Sequence, residues 1–145
     1  MTTRLLLDTH IVLWLDAADA ALRPATRLML EAHWRAGNAL CVNAISAWEI
    51  ALLADVGRIE PDLAPDASLA RFLARPGMEA VALSISAVTR AYPLTGLPHP
   101  DPADRLLITT AIELGCPLVT QDARILTCAA QNGAAIGFRA LAEPA

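Results

Sequence analysis

The chain has 145 residues, of which 55% are hydrophobic and 18% are charged. This length suits one domain with a single hydrophobic core, predicted to span residues 1–145, and the composition excludes an intrinsically disordered chain. All 11 basic residues are arginine, so sites that require a lysine, such as a P-loop or a Schiff base, are excluded. The net charge of −4 argues against a protein coated in positive charge for unspecific nucleic-acid binding.

Short apolar strands alternate with helices along the chain. In chain order, the prediction is a strand at 5–7, a helix at 23–36, strand 39–43, helix 46–56, loop 61–65, helix 67–75, strand 80–83, helix 86–92, loop 95–100, a helix from the Asp101–Asp104 segment to Leu114, strand 117–120, a helix from Asp122 to about 130, and an edge strand at 136–138. Such alternation predicts a three-layer α/β/α sandwich around a mostly parallel sheet of four to five strands.

Neither a membrane span nor a secretion signal is expected. The longest uncharged stretch, 125–138, contains polar residues and glycines, whereas a spanning helix needs about 18 mostly apolar residues. Only leucines 5–7 separate Arg4 from Asp8, which is too short for a signal peptide. The cysteines lack metal-like spacing and are typical of small buried side chains in a reducing compartment, so we predict a cytoplasmic protein.

Carboxylates follow the predicted strands. Asp8 directly follows the first strand, Glu49 lies in the first turn of the helix after the second, and Asp122 lies two residues beyond the fourth. Asp101 and Asp104 begin the helix that is expected to be buried. The carboxyl ends of parallel strands form one edge of a sheet, where open α/β sheets bind ligands. Acids converging there would repel one another without a cation, and an all-oxygen site suits Mg²⁺ or Mn²⁺.

Each acid also has a structural interpretation. Ser46 and Glu49 have the spacing of a capping box, and Asp8, Asp101 and Asp122 each stand where an N-cap is expected. Taken singly, capping explains each acid as well as catalysis does. Capping does not require that all of them lie at one edge of the sheet, nor does it explain a charge placed next to the innermost strand.

Other chemistries find little support. The histidines have no i, i+4 pair and no cysteine partners, so a zinc site is not expected at His10, His33 or His99. The serines lack a nucleophile elbow. The tryptophans fall on apolar helix faces, and we predict that they are core residues and not base-stacking platforms: Trp14, Trp34 and Trp48.

Four motifs run through almost the whole chain: LLLDTHIVLW, SAWEIALL, DPADRLLI and LVTQDARI. Their order and spacing resemble the PIN-domain ribonucleases, and among these the VapC-type toxins of bacterial toxin–antitoxin pairs. The resemblance implies a Mg²⁺-dependent endoribonuclease that cleaves single-stranded or loop RNA and leaves a 5′-phosphate and a 3′-hydroxyl. It also implies a cognate VapB-like antitoxin as inhibitor, and we predict a homodimer.

Matched to the family's acids, the site would consist of Asp8, Glu49, Asp104 and Asp122. We assign Asp8 and Asp104 as the main metal ligands, with Asp122 completing the site, directly or through water. Glu49 would orient or deprotonate the attacking water. Asp101 is an additional acid of the HPDPADR variant.

The resemblance leaves some roles open. The family's polar residue near the glutamate matches Asn43 or Ser46. Arg105 and Arg124 stand next to the motifs and would hold RNA phosphates or lie on a solvated helix face.

Two other protein classes resemble parts of this pattern and are disfavoured, one a class of phosphatases and the other a class of signalling domains. A haloacid-dehalogenase-like phosphatase needs a second acid where this chain has His10, and it also needs a lysine. A response-regulator receiver domain needs a lysine as well. The alternatives that stay open are a catalytically inactive PIN-like interaction module and another Mg²⁺-dependent phosphohydrolase.

Overall fold

The computed structural model describes residues 3–92 and 101–143. Its elements follow in the order β1 (Leu5–Leu7), α1 (Thr9–Asp16), α2 (Pro24–Arg35), β2 (Leu40–Asn43), α3 (Ile45–Asp55), α4 (Pro65–Leu73), β3 (Met78–Val81), α5 (Ile85–Ala91), α6 (Pro102–Leu114), β4 (Leu118–Val119), α7 (Ala123–Ile136) and β5 (Ala140–Leu141). The five strands form one sheet in the order β3-β2-β1-β4-β5, and every pair is parallel. The predicted fold class is therefore confirmed.

Strand β1 divides the core into two halves because successive side chains of a strand point to opposite faces. Leu5 and Leu7 belong to a cluster that includes buried residues of α1, α2, α3 and α4. Leu6 belongs to a second cluster with buried residues of α6 and α7. All three leucines are fully buried. Helices thus cover both faces of the sheet, as a central parallel strand without polar side chains requires.

The two ends of the sheet differ from the prediction. Strand β3 begins two residues earlier than expected. The edge strand predicted at 136–138 is wrong, because Ile136 is the last residue of α7 and Gly137 ends that helix with a φ of 75°. The strand follows at Ala140–Leu141. Helix α7 also extends past 130, to Ile136. A Cβ on Gly133 would lie 2.3 Å from the carbonyl oxygen of Phe138, so only glycine allows the chain after the helix to fold back this closely.

Two of the three tryptophans are not in the core. Trp14 is half-buried and packs against the first cluster, but Trp34 is 43% exposed and Trp48 is 57% exposed. Trp34 donates a hydrogen bond from Nε1 to the carbonyl of Pro76 and so fastens the turn before β3. All three cysteines are buried and free. Within the described ranges, no helix is long and apolar enough to cross a membrane. The predicted loop at 95–100 lies outside the described residues.

Candidate active site

Three carboxylates meet at the carboxyl edge of the sheet. Asp8 follows β1, Glu49 lies in the second turn of α3, and Asp104 lies in the first turn of α6. One oxygen from each lies within 4.8 Å of the others. The residues are far apart in sequence, so the fold itself brings them together: β1 and β2 are neighbours in the sheet, and α3 contacts α6.

Asp8 is the most buried of the three, at 6% exposure. Its Oδ1 accepts a hydrogen bond of 2.7 Å from the backbone N–H of Thr9, and its Oδ2 accepts one of 2.7 Å from the hydroxyl of Thr120. The Thr120 hydroxyl in turn accepts from the backbone N–H of Asp122. Both oxygens of Asp8 are therefore held in place, one by the first residue of α1 and the other by the residue that follows β4.

Glu49 is held by a chain of buried hydroxyls. The hydroxyl of Thr9 donates to Oε1 of Glu49 at 2.5 Å and lies 2.9 Å from the hydroxyl of Ser46. Because a hydroxyl has one proton and an ionised carboxylate accepts only, Ser46 donates to Thr9 and Thr9 donates to Glu49. Thr9 therefore fixes two acids at once: its N–H holds Asp8 and its hydroxyl holds Glu49. The predicted capping box of Ser46 and Glu49 is wrong, since α3 has no side-chain cap.

The remaining two acids cap helices, as their sequence positions predicted. Oδ1 of Asp101 accepts from the backbone N–H of Asp104 at 3.1 Å. Oδ1 of Asp122 accepts from the N–H groups of Arg124 and Ile125 at 2.8 and 3.3 Å. Neither belongs to the group of three carboxylates. Asp122 nevertheless lies close enough for its charge to act on Asp8 and Asp104, which places it at the rim of the cluster.

The three carboxyl groups of the cluster have raised pKa values. Burial, and then the neighbouring charges of Asp8, Asp101, Glu49 and Asp122, raise the pKa of Asp104 to about 8. Burial raises the pKa of Glu49 to about 7, against the hydrogen bond from Thr9. Burial also raises the pKa of Asp8, although the bonds from Thr120 and Thr9 oppose it. In the absence of a cation, Asp104 therefore favours a bound proton at neutral pH.

The donor set fits a divalent cation of the Mg²⁺ type. The three residues offer only carboxylate oxygens, which Mg²⁺ and Mn²⁺ prefer. Oxygens around Mg²⁺ at about 2.1 Å lie up to about 4.2 Å apart, and those of the cluster lie within 4.8 Å of one another. Burial and mutual repulsion raise the pKa values of Glu49 and Asp104, and a cation between the carboxylates would relieve that repulsion. Among the described residues this is the group whose geometry could hold such an ion.

The sequence between residues 5 and 130 matches the family model of the PIN domain. The chain belongs to the PIN-domain family. Among curated proteins, it is 38% identical over 126 residues to Ribonuclease VapC22 of Mycobacterium tuberculosis, an alignment that covers 85% of this chain and 90% of that one.

Two solved structures share the fold of this PIN-domain protein. The crystal structure of VapBC2 from Rickettsia felis, bound to a DNA fragment from their promoter, aligns with a TM-score of 0.58 at 20% identity and covers 85% of this chain and 91% of the other. The structure of FitAB bound to the IR36 DNA fragment aligns with a TM-score of 0.52 at 16% identity and covers 94% and 93% of the two chains.

Asn43 and Ser46, the two candidates for the family's polar residue near Glu49, make different contacts in the structure. Asn43 is fully buried, and its amide donates to the carbonyls of Val81 and Ala82, so it joins β2 to the end of β3. Ser46 instead reaches the carboxylate cluster through Thr9. Sequence reasoning missed Thr9, although its position directly after Asp8, in the first turn of a helix, was a usable signal.

The two arginines next to the motifs, Arg105 and Arg124, also have different surroundings. Arg105 donates from Nε to the carbonyl of Ala91 at 2.8 Å and from Nη2 to that of Tyr92, which fastens the end of α5 to α6. Arg124 is exposed in the first turn of α7, beside Asp122. Of the two, Arg124 is the one whose side chain projects into solvent near the site.

Replacing Thr9 by valine should impair the site with little change in shape. Thr9→Val removes the donor to Glu49 and leaves the buried Ser46 hydroxyl without its partner, at a cost of about 1–3 kcal/mol in unfolding free energy. Because residues that orient metal ligands contribute about 10–100-fold, we expect at least a tenfold weaker apparent affinity for Mg²⁺, measured by titration calorimetry. Thr9→Ser keeps the hydroxyl and should restore most of that affinity. Equal affinities in the wild type and Thr9→Val would contradict this role.

Proposed function

We propose that this PIN-domain protein is a Mg²⁺-dependent endoribonuclease and the toxin of a toxin–antitoxin pair. The observation that carries the proposal is the meeting of Asp8, Glu49 and Asp104 within 4.8 Å at the carboxyl edge of the sheet. The 38% identity to a protein named a ribonuclease, over most of both chains, supports the same activity and substrate class. A pure interaction module would not need one buried and two partly buried acids whose charges oppose one another.

In this proposal, Asp8 and Asp104 hold the cation, and Asp122 contributes from the rim through water. A bound Mg²⁺ ion would neutralise phosphate charge, lower the pKa of an attacking water and stabilise the leaving oxygen. The chain itself contributes the placement of the acids. Asp8 cannot turn, because Thr9 and Thr120 hold both of its oxygens.

Glu49 is the proposed general base. Burial raises its pKa to about 7 in the cation-free protein, so this carboxylate can gain and lose a proton near neutral pH. The hydroxyl of Thr9 fixes Oε1 and thereby the plane of the carboxylate. Glu49 would take a proton from the attacking water, whose oxygen would then bond to phosphorus as the bond from phosphorus to the 3′-oxygen breaks. The leaving 3′-oxygen would take a proton from water, and the products would be a 5′-phosphate and a 3′-hydroxyl.

The direct test is cleavage of RNA with and without divalent cations. Purified protein incubated with total RNA in Mg²⁺ should produce discrete fragments, EDTA should abolish cutting, and Mg²⁺ or Mn²⁺ should restore it. Mapping the cut ends checks the 5′-phosphate and 3′-hydroxyl. Undiminished cleavage in EDTA would rule out the proposed chemistry, and no cleavage in either condition would favour an inactive interaction module.

An antitoxin is the proposed protein partner. Both structural relatives are DNA-bound assemblies, VapBC2 and FitAB, which supports an assembly of this kind here. The carboxylate cluster would accept an arginine side chain of the antitoxin, since a guanidinium pairs well with several carboxylates. We expect the product of a neighbouring small gene to stop RNA cleavage when the two proteins are mixed. We place the protein in the cytoplasm, where its RNA targets are found.

A homodimer is proposed from two rows of exposed apolar side chains. Trp48 and Leu52 on α3 and Val56 at its C-cap follow at i, i+4 and i+8, with exposures of 57%, 44% and 57%. A second row on α5 consists of Ile85, Val88 and Tyr92. Rows of this kind exceed the scattered apolar residues of an ordinary surface and indicate a contact between proteins.

The dimer is testable by charge substitution. Sedimentation of the wild type should give twice the mass of one chain, and Trp48→Glu should shift the protein to a monomer because a charge in an apolar contact is costly. Leu28→Glu is the matched control, since Leu28 is 65% exposed on α2, outside both rows. A wild type that sediments as a monomer at all concentrations would contradict the dimer.

A further inference from the structure

One face of helix α1 lines a large groove, and its first lining residue, His10, lies two residues after Asp8 in the chain. The groove has a volume of about 980 Å³ and is closed on its other side by residues of the segment from 53 to 75. Helix α1 contributes side chains at the i, i+3, i+4 and i+7 positions of one helix face: His10, Leu13, Trp14 and Ala17. A volume of this size is in the range of sites that hold small ligands, so a nucleotide would fit.

Two aromatic rings stand at the end of the groove nearest the cluster. His10 is exposed and directly follows Thr9, the residue that fixes Asp8 and Glu49. The imidazole lies against the indole of Trp14, with 5.5 Å between ring centroids and 47° between planes. Trp14 is half-buried and packs on the first core cluster, which gives the ring pair a rigid base.

The charges in the groove are largely compensated. Asp16 accepts hydrogen bonds from Arg71 at 3.0 Å and Arg75 at 2.7 Å, and Asp62 accepts one from Arg71 at 2.9 Å. Arg58 also lines the groove, but so do the acidic residues Asp19 and Glu60. The groove therefore offers little net attraction for a phosphate backbone. A nucleic acid would have to be held here through its bases.

We propose that the His10–Trp14 ring pair is a nucleobase platform, on which an unpaired base next to the cleaved phosphate stacks. An unpaired base is required because the bases of a duplex already cover one another's faces, whereas single strands leave them free for aromatic side chains. The platform would contribute to the choice of cleavage site. This inference rests on the proposed ribonuclease function.

The test uses substitutions of His10, which is exposed and can be changed without disturbing the core. The cleavage site is first mapped on single-stranded oligoribonucleotides of mixed sequence. His10→Ala should then lower kcat/KM by about tenfold, the lower part of the range for loss of one stacked base. His10→Phe keeps an aromatic face and should retain most of the activity. His33→Ala on α2, outside the groove, is the matched control and should cut like the wild type.

Binding provides a readout that does not depend on cleavage. In an Asp104→Asn background with Mg²⁺ present, an oligoribonucleotide carrying 2-aminopurine next to the cleavage site should change its fluorescence on binding. Adding His10→Ala should remove that change and weaken the Kd by about tenfold. An abasic nucleotide at the same position should weaken binding to the protein that has His10. In the His10→Ala protein the abasic nucleotide should have little further effect, because the two changes remove the same contact.

The outcomes separate this inference from the proposed function. If the wild type cuts no RNA in Mg²⁺, the proposed function fails. If the wild type cuts RNA and His10→Ala cuts it equally well, with the same response to an abasic site, only the platform is wrong. A His10→Phe variant as impaired as His10→Ala would also overturn stacking. If His10→Ala cuts normally but escapes inhibition by an antitoxin, the groove binds protein and not a base.

Discussion

Asp8→Asn and Asp104→Asn should each lower ribonuclease activity by at least about a hundredfold, because changes in residues that only support a metal ligand already cost about 10–100-fold. The amide removes the charge that holds the cation. In Asp8→Asn, Oδ1 can still accept from the N–H of Thr9, whereas the bond that the hydroxyl of Thr120 donates to Oδ2 is lost. Initial rates of RNA cleavage in saturating Mg²⁺ measure the effect. Wild-type rates in either variant would contradict the assignment of the metal ligands.

The same substitutions separate catalysis from capping. Asp101 caps α6 and lies outside the group of three carboxylates. Asparagine caps a helix about as well as aspartate, so Asp101→Asn should leave both activity and stability nearly unchanged. The metal-free Asp104→Asn protein should instead be more stable than the wild type by about 1 kcal/mol, because one of several repelling charges is gone. Loss of activity in Asp101→Asn alone would show that the wrong acid of the DPAD segment had been chosen.

Much of the fold could be predicted because its signals are local. The uninterrupted run Leu5–Leu7 identified a strand buried on both faces, and the alternation of strands and helices identified a parallel sheet. The end of α7 could not be predicted in this way. It depends on the approach of the Phe138 carbonyl to Gly133, a contact that neither periodicity nor helix propensity records.

The acids of the site were predictable for a similar reason, whereas the hydroxyls were not. Topology places the residue after each parallel strand at one edge, so the sequence alone assigns Asp8 to that edge. The bond from Thr9 to Glu49 joins α1 to α3 across 40 residues of sequence. Its geometry depends on how two helices pack, which the sequence pattern does not specify.

Exposure of Trp34 and Trp48 shows a further limit of sequence patterns. An apolar helix face predicts burial but does not say whether the covering surface belongs to the same chain. The position of Trp34 at the surface is explained within the chain by the hydrogen bond that its indole N–H donates to the carbonyl of Pro76. Trp48 has no such contact among the described residues and continues a row of exposed apolar side chains on α3.

The metal-free protein should lose stability as pH rises, in contrast to the usual behaviour of proteins with paired carboxylates. The pKa of Asp104 is raised from 3.8 to about 8 and that of Glu49 from 4.5 to about 7. Between the unfolded and folded pKa values, the folded protein holds protons that the unfolded chain has released, so the free energy of unfolding falls with increasing pH. The loss is absent below about pH 4 and complete above about pH 8.

Added Mg²⁺ should reverse that loss, and increasingly so at higher pH. The cation binds deprotonated carboxylates, so its stabilisation is small where the cluster is protonated and large where it is charged. Thermal unfolding at pH 5, 6, 7 and 8, in EDTA and in Mg²⁺, measures both effects as shifts in Tm. The double variant Glu49→Gln/Asp104→Asn should have a nearly flat metal-free profile and little response to Mg²⁺, whereas Glu60→Gln, an exposed acid outside the cluster, should behave like the wild type. A wild-type Tm in EDTA that rises from pH 5 to pH 8 would show that the three carboxylates are not forced together, and the case for a cation between them would then be lost.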